Sequence, residues 1–148
     1  MQTAFKIIHH NDNNKELFDE ISLSYEERFI RRKKLTTNNG NEFLVNLEKT
    51  VSVNENHFFE LENGNLIKVI SKEENLIEVT GDNLKQIIWH IGNRHLPCQI
   101  EENRILIQDD AVILDMILKL NGNVKKIIEK FKPEGGAYGM GRTHSHKH

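Results

Sequence analysis

Asn75-Leu-Ile-Glu-Val-Thr-Gly-Asp-Asn-Leu-Lys-Gln-Ile-Ile-Trp-His-Ile91 changes its hydrophobic period partway along, and that change decides the fold. Asn75 to Thr80 reads as a strand. Asp82 or Asn83 supplies a helix cap, after which Leu84, Ile87, Ile88 and Ile91 recur at spacings of three and four, the apolar stripe of an amphipathic helix. Downstream, Cys98-Gln-Ile100 and Arg104-Ile-Leu-Ile107 flank a polar turn and predict a hairpin. A second helix begins near Asp109 or Asp110, turns Ile113, Met116, Ile117 and Leu120 inward, and stops at Gly122. Val124 to Phe131 supplies a last strand. The order βαββαβ is the ferredoxin-like arrangement.

Upstream of this unit the pattern is different. Ile21-Ser-Leu-Ser24, Phe43-Leu-Val-Asn-Leu47, Phe58-Phe-Glu-Leu61 and Leu66-Ile-Lys-Val-Ile70 read as short strands, and nothing between positions 20 and 72 has a helical period. Asn39-Gly40 and Asn63-Gly64 supply residues that accept positive φ in tight hairpin turns. These features predict a small sandwich or partial barrel. The charged stretch Ser71-Lys-Glu-Glu-Asn75 separates the two patterns. The expected class is therefore α+β: an all-β unit over 1–72, a ferredoxin-like unit over 73–133, and a flexible histidine-containing tail over 134–148. That topology hosts many unrelated activities and does not by itself name one.

Bulk properties narrow the field. An apolar content of 37% over 148 residues allows only modest cores. A net charge of −2 gives no sign of a general nucleic-acid or membrane binder. The single cysteine, Cys98, rules out an internal disulfide framework and fits a reducing compartment. No basic start followed by an apolar run marks a signal peptide, and runs such as Ala111-Val-Ile-Leu114 are too short to span a bilayer. The expectation is a soluble, cytoplasmic protein.

The chemistry gathers at the carboxy terminus. Gly135-Gly-Ala-Tyr-Gly-Met-Gly-Arg-Thr-His-Ser-His-Lys-His148 removes backbone restraint and then alternates His144, His146 and His148. Such a tract can close around a divalent ion, and imidazole suits nickel, copper, zinc or iron better than calcium or magnesium. His90 and His95 lie in Trp89-His-Ile-Gly-Asn-Arg-His-Leu-Pro97. On a regular helix they would stand roughly 140° apart and could not share an ion. Gly92 is expected to let the backbone leave the helix, placing His95 at an exposed corner. A two-fold dimer would present His95 twice, so that folded-back tail histidines bring the count to three or four nitrogens.

Other candidates are weaker. Asp109 and Asp110 read as helix caps, Cys98 as a small apolar strand residue, and His9 and His10 as neighbours that would face opposite sides of a strand. His57 has no companion in the sequence. The basic run Arg28-Phe-Ile-Arg-Arg-Lys-Lys34 offers Arg28, Arg31, Arg32, Lys33 and Lys34 to an acidic partner or nucleic acid, although most such runs are solvated strand faces. Phosphate-binding loops, nucleophile elbows and H-E-x-x-H pairs are missing, and no catalytic machinery is visible.

Three segments together resemble the UreE family of urease accessory proteins: Trp89-His-Ile-Gly-Asn-Arg-His-Leu-Pro97, Asp110-Ala-Val-Ile-Leu-Asp-Met116, and Phe131-Lys-Pro-Glu-Gly-Gly-Ala-Tyr-Gly139 with its histidine tail. The resemblance covers essentially the whole chain, more loosely in the amino half. It implies a nickel metallochaperone, not an enzyme, built from a β domain and a ferredoxin-like domain that dimerises. It implies that His95 is a Ni2+ ligand shared across a homodimer, with His144, His146 and His148 adding ligands. The β domain resembles the peptide-binding domain of a co-chaperone. The implied partners are the urease accessory GTPase and the urease apoprotein complex; no membrane or nucleic-acid partner is expected. Some relatives have a histidine cluster where this chain has Gln108-Asp-Asp-Ala111, which leaves Asp109, with His90, as the possible accessory ligand. A Zn2+ or Cu2+ buffer using the same residues, and a protein- or RNA-binding module using the basic run, are the alternatives. Imidazole ligands must be neutral, so affinity is expected to fall as pH drops through about 6.5.

Overall fold

The computed structural model describes residues 1–135, and they divide between two compact units, Met1–Lys72 and the part of the chain from Glu73 onward. The first unit holds β1 (Gln2–Ile8), β2 (Leu17–Leu23), β3 (Phe29–Thr36), β4 (Glu42–Ser52), β5 (Phe58–Leu61) and β6 (Leu66–Ser71). They form one six-stranded sheet in the order β2-β6-β5-β1-β4-β3. The β1–β4 and β2–β6 pairs are parallel and the others antiparallel. Alternating side chains from these strands, among them Ala4, Ile21, Leu23, Ile30, Phe43, Val45, Phe59 and Val69, make the core. The strand β1 was not singled out in the sequence. Its pairing with β4, some forty positions away, carries no local turn signal.

Two residues explain how this sheet holds its shape. Asp19 on β2 is only 5% exposed. Its carboxylate accepts hydrogen bonds from Thr37 Oγ1, Asn39 Nδ2 (2.8 Å), Asn41 Nδ2 (2.9 Å) and the Glu20 amide (2.7 Å), which ties the β3–β4 loop to β2. Arg28 is 4% exposed and donates from Nη1 to the Leu23 carbonyl at 3.0 Å, with its guanidinium over the Tyr25 ring. It is thus a structural residue inside the unit and is set apart from the exposed cations that follow it.

The second unit holds β7 (Glu73–Thr80), α1 (Leu84–Asn93), β8 (Gln99–Ile100), β9 (Ile105–Gln108), α2 (Ala111–Lys119) and β10 (Asn123–Lys130). Its antiparallel sheet runs β10-β7-β9-β8, the ferredoxin-like order, as the alternation of periods predicts. Ile87 and Ile91 of α1 and Ile113 and Ile117 of α2 pack with Ile77, Val79, Ile105 and Ile107. Each buried isoleucine stabilises by roughly 1.5–3 kcal/mol, so this small layer is enough to fix the helices on the sheet.

The helix ends depart from expectation. Asp110 caps α2 as predicted, its carboxylate accepting from the Val112 amide at 2.7 Å and the Ile113 amide at 3.2 Å. Asn83 stands at the start of α1 but makes no side-chain cap. Its Nδ2 instead donates to the Leu120 carbonyl, joining the start of α1 to the end of α2. Gly122 is not the residue in the left-handed conformation that stops α2; Asn121 is, at φ 61°. Gly122 is needed for space, because a Cβ there would lie 2.8 Å from Ile117 Cγ2 and 2.9 Å from Ile87 Cδ1.

Candidate metal centre

The register of the sheet places the candidate ligands at one end of the second unit. Lys130 pairs with Glu73, Gln108 with Leu76, and Gln99 with Leu106. The end of β10, the start of β7, the end of β9 and the start of β8 therefore lie together. The carboxy end of α1 feeds β8, and the amino end of α2 follows β9. His90 and His95, Asp109, and the exit of the chain after β10 consequently share that end.

The corner at His95 has a definite geometry. The helix does not yield at Gly92, which lies within α1 and has no positive φ. It continues through Asn93 and stops at His95, which takes φ 57°. The His95 amide donates to the Gly92 carbonyl at 3.0 Å and the Leu96 amide to the Ile91 carbonyl at 3.2 Å. These are the two bonds of a Schellman motif, with histidine in the left-handed position that glycine usually fills. Leu96 packs back on the core of the unit, which holds the corner closed. Among the described residues the other non-glycine positions with positive φ are all asparagines, and the left-handed state costs an ordinary residue about 1 kcal/mol. His95 is exposed, so no burial requirement explains its presence in that position. Strain of this kind concentrates at functional positions.

Around that corner the other predicted residues fall unevenly. His90 is half-buried in the last turn of α1, its ring set edge-on to Trp89 at 5.1 Å. Asp109 is exposed and lies 3.8 Å from Lys126 Nζ. His144, His146 and His148 lie outside the described residues. Among the described residues no group of three or more His, Cys, Asp or Glu side chains is assembled to hold an ion. Cys98 is buried, and burial together with the Glu134 charge pushes its thiol up to about 12, so it is protonated in the metal-free protein.

One feature of this end is not readable from spacing. After β10, Phe131 is fully buried, and the chain crosses to the opposite edge of the sheet. There the Lys132 amide donates to Gln99 Oε1 at 2.8 Å and the Glu134 amide to the Cys98 carbonyl at 3.0 Å. The segment that leads to the tail is therefore clipped beside residue 98, three positions from His95. The sequence signal was a large apolar residue followed by Pro133, which only the sheet order turns into a crossing.

In the first unit His57 does have a companion. Its ring stacks on His9 at 4.1 Å, within 4° of parallel. Stacked rings direct their nitrogen lone pairs side by side instead of converging, so the pair does not chelate. Burial, followed by the neighbouring His9 and His10, holds His57 below the ordinary imidazole value. On β3, Arg31, Arg32, Lys33 and Lys34 are exposed, and Lys34 pairs with Glu42 at 2.5 Å.

Comparison with known proteins agrees with this architecture. A family model described as the UreE urease accessory protein, C-terminal domain, matches residues 74–148, and one for the UreE N-terminal domain matches residues 5–71. A urease accessory protein UreE from Ruegeria pomeroyi is 53% identical over 130 residues, covering 88% of this chain and 87% of its own. Those from Rhodobacter capsulatus and Paracoccus denitrificans are 48% and 40% identical, covering 88% and 84% of this chain and 83% and 79% of their own. No helix among the described residues is long and apolar enough to cross a membrane.

Proposed function

The chain belongs to the UreE family of urease accessory proteins, which serve urease maturation and are not enzymes, and from that premise we propose that it carries Ni2+ to urease. The ion is held between the two protomers of a homodimer by the pair of His95 imidazoles. His144, His146 and His148 complete the ligand set. The observation that carries this reading is the exposed left-handed His95 corner with the tail exit clipped three residues away. His144 is nine residues beyond Gly135, a span of at most about 32 Å when extended, which is ample for a tail whose exit is held beside residue 98, three positions from His95. That a single protomer's described residues assemble no three-ligand group fits a site completed by a second copy and the tail. His90 and Asp109, at the same end, are the accessory positions.

Handover follows from the ligand set. Imidazoles carried on separate residues exchange one donor at a time, so an acceptor can take the ion without every bond breaking together. The receiving partners are the urease accessory GTPase and, through it, the urease apoprotein complex, in the cytoplasm. The β unit with Arg31, Arg32, Lys33 and Lys34 is the surface for partner proteins, and Arg28 supports it from within. Zn2+ or Cu2+ can occupy the same nitrogens, because copper outcompetes nickel at most nitrogen sites.

Nickel titration calorimetry on the full chain, His95→Ala and a chain ending at Arg142 tests the reading. The expected result is loss of the tightest site, at one ion per two protomers, in His95→Ala, and weaker binding after truncation. Unchanged binding in His95→Ala would make His95 a structural corner and move the metal to the tail.

A further inference from the structure

We propose that the turn at residues 54–57 is a proton-operated latch on the first unit, closed while the His57 imidazole is neutral and opened when that ring becomes a cation. Neither His57 nor His9 belongs to the metal's ligand set, so the latch works without an ion. Register builds it. Ile7 pairs with Phe59 and Ile8 with Phe58, so His9 falls opposite His57 where β1 leaves β5. Their rings meet there at 4.1 Å, within 4° of parallel. Phe58 pairs with Lys68 across β5 and β6, which sets Val69 opposite His57 on its other side. By alternation the half-buried His57 shares the face of Phe59 and Val69, both in the core. A cation on that face meets apolar neighbours and a second imidazole.

A hydrogen bond commits the ring to its neutral form as well. The Asn54 amide donates to His57 Nδ1 at 3.3 Å. A backbone N–H can only donate, so Nδ1 carries no proton, and a second proton can enter the ring only there, breaking the bond. The charges that act on His57 are those of His9 and His10, and both disfavour a charge on it. Glu55, on the same turn, is engaged with the Ser71 amide at 3.1 Å, and Lys68 lies on the opposite face. An imidazole held low in this way contributes stability that is present above the unfolded value near 6.5 and lost as pH falls through the folded value. Opening releases the Asn54 amide and parts the end of the β1–β5 pair. The Asn56 amide on the Val69 carbonyl and the Val69 amide on the His57 carbonyl, each at 2.9 Å, still hold the turn to β6.

The test uses the full chain, kept free of metal by a chelator. The His57 ring is titrated by NMR between about pH 7.5 and 4.5, and hydrogen exchange, corrected for its intrinsic pH dependence, is read at the Asn54 and Val45 amides. The expected result is a roughly three- to tenfold loss of protection at Asn54 as His57 titrates, with Val45 in the core unchanged. His57→Asn puts an acceptor that takes no proton in the place of Nδ1 and should keep Asn54 protection flat. His9→Ala removes the facing ring and should move the loss to higher pH. A His57 ring that titrates with no loss at Asn54, or an equal loss in His57→Asn, overturns the proposal. So does a His57 that titrates at or above the ordinary imidazole value.

Discussion

His95 occupies a backbone position that suits glycine better than any side chain, and that conflict separates its structural role from its chemical one. Replacing it by glycine keeps the Schellman bonds to Gly92 and Ile91 and removes the left-handed penalty. His95→Gly should therefore stabilise the metal-free protein by about 1 kcal/mol, while His95→Ala leaves stability near that of the parent. Urea denaturation without metal checks both, and each variant should lose the tightest nickel site. A His95→Gly protein that is less stable than the parent would mean that the imidazole supports the fold. The exposed corner at His95 was legible in the residues, but the site of the break was not. Gly92 is the residue that local propensity favours, whereas the packing of Leu96 on the core decides that the chain turns three residues later.

At the level of elements, two contacts set the joints. Gly122 leaves room where the end of α2 passes Ile117, Ile87 and Val79, so Gly122→Ala forces those side chains aside. A loss of about 1–3 kcal/mol is expected, read as a lower thermal midpoint. Asp19 holds the β3–β4 loop to β2. Burial alone would raise its carboxyl, but the bonds from Thr37, Asn41, the Glu20 amide and Asn39 outweigh it and hold the group below the ordinary value. A depressed carboxyl contributes stability that is present above the unfolded value near 3.9 and is lost as pH falls through the folded value. Asp19→Asn should cost about 1–3 kcal/mol at neutral pH and flatten the stability profile below about pH 4. Denaturant midpoints for both proteins between pH 6 and 3 check it, and parallel profiles would refute the assignment. Asp19 itself is silent in the sequence, because its four donors come from a loop eighteen or more residues away and from its own neighbour.

For the whole molecule, the expected behaviour is that of a shared imidazole site. Nickel affinity should fall by about tenfold or more between pH 7.5 and 5.5, since each ligand must shed its proton to bind. Calorimetry at the two values checks this, and a flat profile would mean that oxygen ligands carry the site. The switch from a period of two to a period of 3.6 at Thr80–Leu84, and the turn glycines before it, were enough to specify an all-β unit and a βαββαβ unit, because periodicity records which face each residue buries. The histidine types and their order were equally plain. What proximity adds is non-local. The parallel β1–β4 pairing, the stacking of His57 on His9 and the crossing of Phe131–Glu134 to Cys98 and Gln99 each join positions far apart in the chain. Local sequence reports the environment a residue prefers, and only the packed sheet reports which distant residue provides it.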